Sequence, residues 1–344
     1  MSEKLTELLP GMYRLVLSSD FNSITKINIF IIPGKNPKKD RSLMVDVGFH
    51  DEDCMMNLER AMAKLGIPFS KLDVFLTHKH QDHCGLAYMV ERLGARIYMS
   101  PGEGRHHYDC LHYNEQSYRD QAMVLGYAGI TEKCTPKLWE MFTSAVKEDT
   151  LKEFNISRFN YIPVHAGDHF CYGDYVFEVI PLKGHTFGQM GLADRRAKVF
   201  FCADQIIRRI VPIVATSYKD EHLLRGYFKS LRYAKENLKD CRFFPAHNEE
   251  IQGDDVGKVI DHIVFAYLEK IQIICQIVRH GRRPMTVVQI AMLAYGMQEL
   301  PKNQEQFVFL KMITSKTFSC LEYLLDEDLV MREERDGVLY WEAG

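Results

Sequence analysis

Three histidines and one aspartate fall within six positions of the string Thr77-His78-Lys79-His80-Gln81-Asp82-His83-Cys84-Gly85. The string directly follows Leu72-Asp73-Val74-Phe75-Leu76, an apolar run that reads as a short strand. A tight loop at a strand's end has no core in which to bury three imidazoles, so packing does not account for them. Neutral imidazole nitrogen and carboxylate oxygen suit zinc and similar divalent ions. Alternation along an extended chain points His78 and His80 the same way, and Asp82 and His83 can then turn towards a second ion.

Three later strings carry the same residue types. Lys183-Gly184-His185-Thr186-Phe187-Gly188 places His185 at a glycine-flanked turn after a strand. Phe200-Phe201-Cys202-Ala203-Asp204 ends an apolar strand on a carboxylate, where a charge is costly unless paired or metal-bound. Phe243-Phe244-Pro245-Ala246-His247-Asn248 repeats the arrangement with a histidine. Each alone reads as a turn or a cap. Together they supply the ligands that a two-metal site still needs.

The elements that would position these residues are α/β in pattern. Strands are expected at 28–32 and 42–47, flanking the polar 33–41 as a hairpin, then at 72–76, 96–99, 175–180, 199–201 and 242–244. Helices are expected at 58–65, stopped by Gly66, at 86–93, closed by Gly94, and at 222–237. Residues 101–160 are rich in Tyr, His, Gln and Glu, with 137–152 helical in pattern, and read as a helical insertion. From 255 the pattern turns helical to 279, breaks at His280-Gly281-Arg282-Arg283-Pro284, and resumes from a Thr286 cap through Ala294 and again over 304–325. Val330 to Trp341 alternates around Asp336-Gly337, a strong hairpin signal. Helix, helix, helix, hairpin reads as a winged-helix-like module. The expected domains are therefore 1–254, with the insertion, and 255–344.

Composition narrows the classes. The 344 residues are 46% hydrophobic and 26% charged, which excludes a disordered or fibrous chain. Lys plus Arg total 43 against 46 Asp plus Glu, a formal charge of −3, so the positive field of a nucleic-acid binder is missing. Residues 255–344 hold ten Lys or Arg and thirteen Asp or Glu, whereas a winged helix that grips phosphates should be basic. The nine cysteines are scattered with no C-x-x-C pair, which argues for reduced thiols rather than a disulfide framework. No basic stretch leads into an apolar one after Met1, and no run approaches a membrane span, so a cytoplasmic protein without membrane contact is expected.

In order, H-x-H-x-D-H, Gly-His-Thr, a strand-terminal Asp and a late strand-terminal His resemble the metallo-β-lactamase superfamily of metal-dependent hydrolases, over roughly Gly11 to Gln252. The resemblance implies an αββα sandwich with the metals at one edge. It implies that His78, His80 and His185 hold one ion, that Asp82, His83 and His247 hold the second, and that Asp204 bridges them. Asp46, in Met44-Val45-Asp46-Val47-Gly48, matches an early Asp that supports the ligands from behind; a plain turn residue is the equal alternative. Lys183 stands where many members carry Pro, and Ala246 where Gly is commoner, but neither departure removes a ligand. A bridging Asp and the lack of a leader resemble the glyoxalase II and nuclease branches. The tail resembles that of a subfamily whose members act on thioesters or on RNA.

The cofactors implied are two divalent ions, zinc foremost, with iron or manganese as alternatives. About 3.5 to 4 Å apart, such ions share a water and lower its pKa towards ~7. The expected enzyme is a binuclear hydrolase that uses this metal-bridged hydroxide, oriented by Asp82, on a thioester or small acyl ester. Arg105, His106, His107, Tyr108, His112 and Tyr113 form a donor-rich cluster that binds an acidic group of the substrate or is simply a solvated surface. Three alternatives stand beside this reading: a metal-dependent ribonuclease or phosphodiesterase, a persulfide dioxygenase-like iron enzyme, and a non-enzymatic winged-helix regulator. The intact set of six terminal ligands and a bridge argues against the last. The expected partner is a small acyl substrate rather than nucleic acid, and a homodimer is the assembly considered.

Overall fold

The computed structural model describes residues 4–19, 26–104, 113–147, 159–216 and 218–344. Its contacts divide the chain into two units. The first comprises Met1–Cys110, Ile156–Pro212 and Ser230–Ile260; the second comprises Leu111–Asn155, Ile213–Lys229 and Asp261–Gly344. A single boundary at 254/255 would instead keep 111–155 and 213–229 with the first.

The first unit is a two-sheet sandwich. One sheet runs in sequence order through β1 (Lys4–Leu9), β2 (Met12–Ser18), β3 (Lys26–Ile32), β4 (Ser42–Val45), β5 (Leu72–Leu76), β6 (Arg96–Met99) and β7 (Ile162–Pro163). Its first four strands are antiparallel, including the expected β3–β4 hairpin, and β4 to β7 are parallel. The helices α1 (Glu52–Leu65), α2 (Gln81–Cys84), α3 (Ala87–Arg92) and α4 (Pro101–Gly104) belong to its connections. The second sheet has the order β12-β11-β10-β9-β8, from β8 (His169–Tyr172), β9 (Tyr175–Pro181), β10 (Met190–Asp194), β11 (Val199–Ala203) and β12 (Arg242–Pro245).

Alternation along the strands builds two cores. On β3, Ile27, Ile29 and Ile31 join Val74 and Leu76 of β5 and Leu58 and Met62 of α1 in one. Phe30, Ile32 and Phe75 face the other way and meet Phe177, Phe201 and Phe244 of the second sheet. Both faces of β5 are covered, so all five residues are buried, and its sequence is a continuous apolar run around Asp73. The buried Asp73 carboxylate is neutralised by Arg41 and Arg96, each at 2.6 Å, and accepts from Tyr172 at 2.7 Å. Helix α1 starts at Glu52, well before the Leu58 that its periodicity suggests, because Asp51 caps it by accepting from the Cys54 amide; Gly66 ends it at φ +67 as expected.

The second unit contains α5 (Tyr113–Tyr127) and α6 (Pro136–Lys147) from the insertion, the start of α7 (Leu223–Asn237), most of α8 (Asp254–His280), and the tail. In the tail, β13 (Met285–Thr286) leads into α9 (Val287–Ala294), α10 (Gln304–Asp326) and the hairpin β14 (Val330–Arg335) and β15 (Val338–Ala343). Thr286 forms a full capping box with Gln289. Asp336 and Gly337, at φ +50 and +75, make the two-residue hairpin turn, and β13 adds a third strand beside β15. Leu125, Leu138 and Phe142 pack with Val288, Phe307 and Leu310 in one core. The described cysteines are all free, and among the described residues no helix is long and apolar enough to cross a membrane.

Glu322 is buried in this unit, accepting from the Asp220 amide at 2.7 Å and the Thr216 hydroxyl at 3.3 Å. Burial, with Glu221 and Asp220 nearby, pushes its carboxyl up to about 7 from 4.5. A raised folded-state value means that this group's stabilising contribution is complete below pH 4.5 and is lost as pH rises to 7. Glu322→Gln should therefore be more stable than wild type at pH 8, by up to about 3 kcal/mol. The advantage should vanish near pH 4.5 in denaturant titrations run across that range; equal pH slopes for the two proteins would contradict it.

Candidate metal centre

The chain bends back at the end of β4. The expected strand stops at Val45, and Asp46 adopts φ +61, a left-handed conformation that Asp tolerates better than most residues. This turn sends the fully buried Asp46 carboxylate to the end of β5. There it accepts from the Thr77 amide at 2.8 Å, from the Thr77 hydroxyl at about 3 Å, and from His83 Nδ1 at 2.8 Å. With Nδ1 thus committed as donor, His83 presents Nε2 to the pocket. Thr77 was only the first letter of the motif in the sequence, yet its hydroxyl also lies 3.1 Å from His78 Nδ1, which turns His78 Nε2 inward.

Beyond Thr77 the chain gives His78 and His80 and then the single turn α2, which carries Asp82 and His83. His185 arrives on the 182–190 loop, tied to the motif by the Met190 amide donating to the Thr77 carbonyl at 3.0 Å. Asp204 follows β11, after Ala203 at φ +48. His247 follows β12, and its Nδ1 donates to the Lys26 carbonyl at 2.7 Å. Asn28 secures the same loop by donating to the Pro245 and Asn248 carbonyls. No side-chain pattern marks the Lys26 carbonyl, so only the fold discloses this contact.

All seven motif residues converge in two groups that share Asp204. In the first, His78 Nε2 and His185 Nε2 each lie 2.9 Å from His80 Nδ1, and His185 Nε2 lies 3.5 Å from Asp204 Oδ2. In the second, Asp204 Oδ1 lies 3.5 Å from His83 Nε2 and 3.3 Å from His247 Nε2. Asp82 Oδ2 completes it, 3.5 Å from His83 and 3.2 Å from His247. Within each group the donor atoms all lie within 4.8 Å of one another. The two oxygens of Asp204 are thus divided between the two groups.

Burial and neighbouring imidazoles hold His78 well below its ordinary value and His80 down to about 3, so both rings are neutral and able to ligate. In the second group burial is outweighed by carboxylates. Asp82, Asp46 and Asp204 hold His83 well above its usual range, and Asp204 and Asp82 push His247 up to about 10. The same pairings keep Asp204 well below the carboxylate range despite its burial. These carboxylates draw positive charge into the pocket. His83 Nε2, His247 Nε2 and Asp204 Oδ1 are nonetheless buried without a hydrogen-bond partner among the described residues. Buried polar atoms without partners are rare and costly, and a pair of divalent cations would satisfy these. The donor set fits such ions.

Arg105, His106, His107, Tyr108 and His112 lie outside the described residues; Tyr113 opens α5, whose range the structure gives without its side chain.

Comparison with known proteins gives the family and the fold. The family model described as the metallo-beta-lactamase superfamily matches residues 27–247. A metallo-beta-lactamase family protein from Thermus thermophilus is 19% identical with a TM-score of 0.75, the match covering 98% of this chain and 100% of that one. A beta-lactamase domain protein from Burkholderia ambifaria is 20% identical with a TM-score of 0.77, over 99% and 94%. A metallo-beta-lactamase from Pontibacter korlensis is 13% identical with a TM-score of 0.51, over 76% and 99%. At these identities the likeness is one of fold. A search of the curated proteins returned no match.

Asp46→Ala would strand the Thr77 amide and release His83. It should lower the unfolding free energy of the metal-free protein by about 1–3 kcal/mol, the cost of unsatisfied buried groups. Denaturant titration checks this, and an unchanged midpoint would remove Asp46 from the support of the site.

Proposed function

The chain belongs to the metallo-beta-lactamase superfamily, and from that premise we propose that it is a binuclear metal-dependent hydrolase of the glyoxalase II-like branch. His78, His80 and His185 would hold one divalent ion, Asp82, His83 and His247 the other, and Asp204 would bridge them. Zinc is the ion this histidine-rich set suits first, with iron or manganese as alternatives. The observation that carries the reading is the division of Asp204's two oxygens between the two groups.

Bound there, two such ions supply an activated water at neutral pH and polarise the oxygen of the bond to be broken. The chain's own residues do the rest. Asp46 and the Lys26 carbonyl fix which nitrogen His83 and His247 present. Asp82 directs Oδ2 at those two rings, and we assign its other oxygen to orienting the attacking water.

We propose a thioester or small acyl ester as the substrate. Support comes from the chain's formal charge of −3, which disfavours a polyphosphate chain in the site. A thiolate also leaves without strong acid assistance. The order of α9, α10 and the three-stranded sheet supports a winged-helix-like reading of the tail, and its acidic balance supports packing rather than gripping nucleic acid.

Elemental analysis of the purified protein should return two transition-metal ions per chain. Asp204→Asn should lower the occupancy of both and reduce turnover by orders of magnitude while the fold persists. A single iron that never acquires a second ion on supplementation would favour the dioxygenase alternative. Assays on glutathione and coenzyme A thioesters, lactones and single-stranded RNA should find thioester hydrolysis and little RNA cleavage; the opposite pattern would reverse the substrate assignment.

A further inference from the structure

Glu103 is a buried carboxylate, 1% exposed, in the short helix α4 that follows β6. Among the described residues it forms no ion pair, and two backbone amides are its hydrogen-bond donors there, for a carboxylate whose burial is costly. Its Oε2 accepts from the Lys79 amide at 3.0 Å, and its Oε1 accepts from the Gly188 amide at 2.5 Å. Lys79 sits between His78 and His80, and Gly188 lies three residues beyond His185. One carboxylate therefore spans the two loops that carry the first group of histidines.

The packing beneath it makes the reach specific. A Cβ on Gly188 would lie 2.7 Å from the Glu103 nitrogen and 2.8 Å from the Gly102 carbonyl carbon. A Cβ on Gly102 would lie 3.0 Å from the Gly188 Cα. The two backbones touch directly, which places the Gly188 N–H on the carboxylate. The base of α4 is itself anchored, because Ser100 Oγ accepts from the Gly102 amide and the Ser100 carbonyl from the Glu103 amide. Charge-assisted bonds of this kind are short and strong.

We infer that Glu103 is a positioning residue for the three-histidine half of the centre, fixing the separation of the His78/His80 loop from the His185 loop. The inference rests on the proposed metal centre. In the opposite half, Asp46 and the Lys26 carbonyl hold His83 and His247 directly, and Asp46 reaches His78 only through the Thr77 hydroxyl. A glutamine at 103 keeps the shape but offers an amide group to one of two N–H donors, which frees one loop.

Cobalt(II) titration, followed by visible absorption and chelator competition, tests this on the full chain. His185→Ala and His247→Ala provide reference behaviour for loss at each half. Glu103→Gln should weaken one of the two cobalt equivalents by about tenfold or more, the usual consequence of removing a partner behind a ligand. It should match His185→Ala in which absorption band is lost and leave the other equivalent near wild type. Wild-type affinity for both equivalents, or equal weakening of both as in a merely structural role, would overturn the inference. Should Glu103→Gln fail to fold, amide hydrogen exchange in the wild-type protein decides. Slow exchange at Lys79 and Gly188 supports the clamp, and exchange at open-loop rates overturns it. If wild type binds no cobalt at all, the metal-centre reading fails, and the same amide measurement still judges the clamp.

Discussion

The cost of placing carboxylates inside a sandwich edge governs this structure. Asp46 and Asp204 are buried and Asp82 is nearly so, and an ionised group removed from water loses several kcal/mol unless something compensates it. Each carboxylate is therefore surrounded by groups that donate or carry charge, and these are chiefly imidazoles. Asp46 spends itself wholly on protein donors, whereas Asp204 leaves a buried oxygen without a hydrogen-bond partner among the described residues. That asymmetry separates a carboxylate satisfied by the protein from one that is not.

The sandwich serves this arrangement by delivering chain ends to one place. The β4–β5 pair is parallel and in register, so the residues after Val45 and after Leu76 emerge side by side, and Asp46 can reach Thr77. The parallel β11–β12 pair does the same for Asp204 and His247. The Asn28 amide and side chain bind the 245–248 loop to β3, which joins His247 to the first sheet. Phe30 of β3 packs tilted against Phe201, with ring centroids 4.8 Å apart, and edge-on against Phe244 at 5.7 Å, so the core holds the same strands from within.

Much of this was legible in the chain because ligand chemistry is local. The crowding of His78, His80, Asp82 and His83 needs no fold to be noticed, and apolar runs ending in His185, Asp204 and His247 follow from strands that stop where polar groups begin. What escaped were the strands β1, β2, β7 and β8, which no expectation above covers, and features that depend on backbone. Strand β10 was not foreseen because Gly191 breaks its pattern, yet a Cβ there would lie 2.6 Å from the Phe201 carbonyl oxygen, so close strand approach demands the glycine. Strand β4 looked two residues longer than it is because Asp46 and Val47 continue an alternating pattern across a left-handed turn that no propensity announces. Glu103 and the Lys26 carbonyl act on segments remote in sequence, and nothing in their neighbours' identities points across that gap.

The convergence of these side chains from both sheets also bears on when the cluster can come into being. His78, Asp82 and their neighbours leave the ribosome well before Asp204 and His247, so early chains carry only the first part of the donor set. During synthesis a segment of that kind folds as soon as its partners are available, but here the closing partners come last. In the proposed reading, loading of the centre would then wait for the assembled sandwich. The ion taken up would be set by what surrounds the finished fold rather than by what a nascent chain meets first.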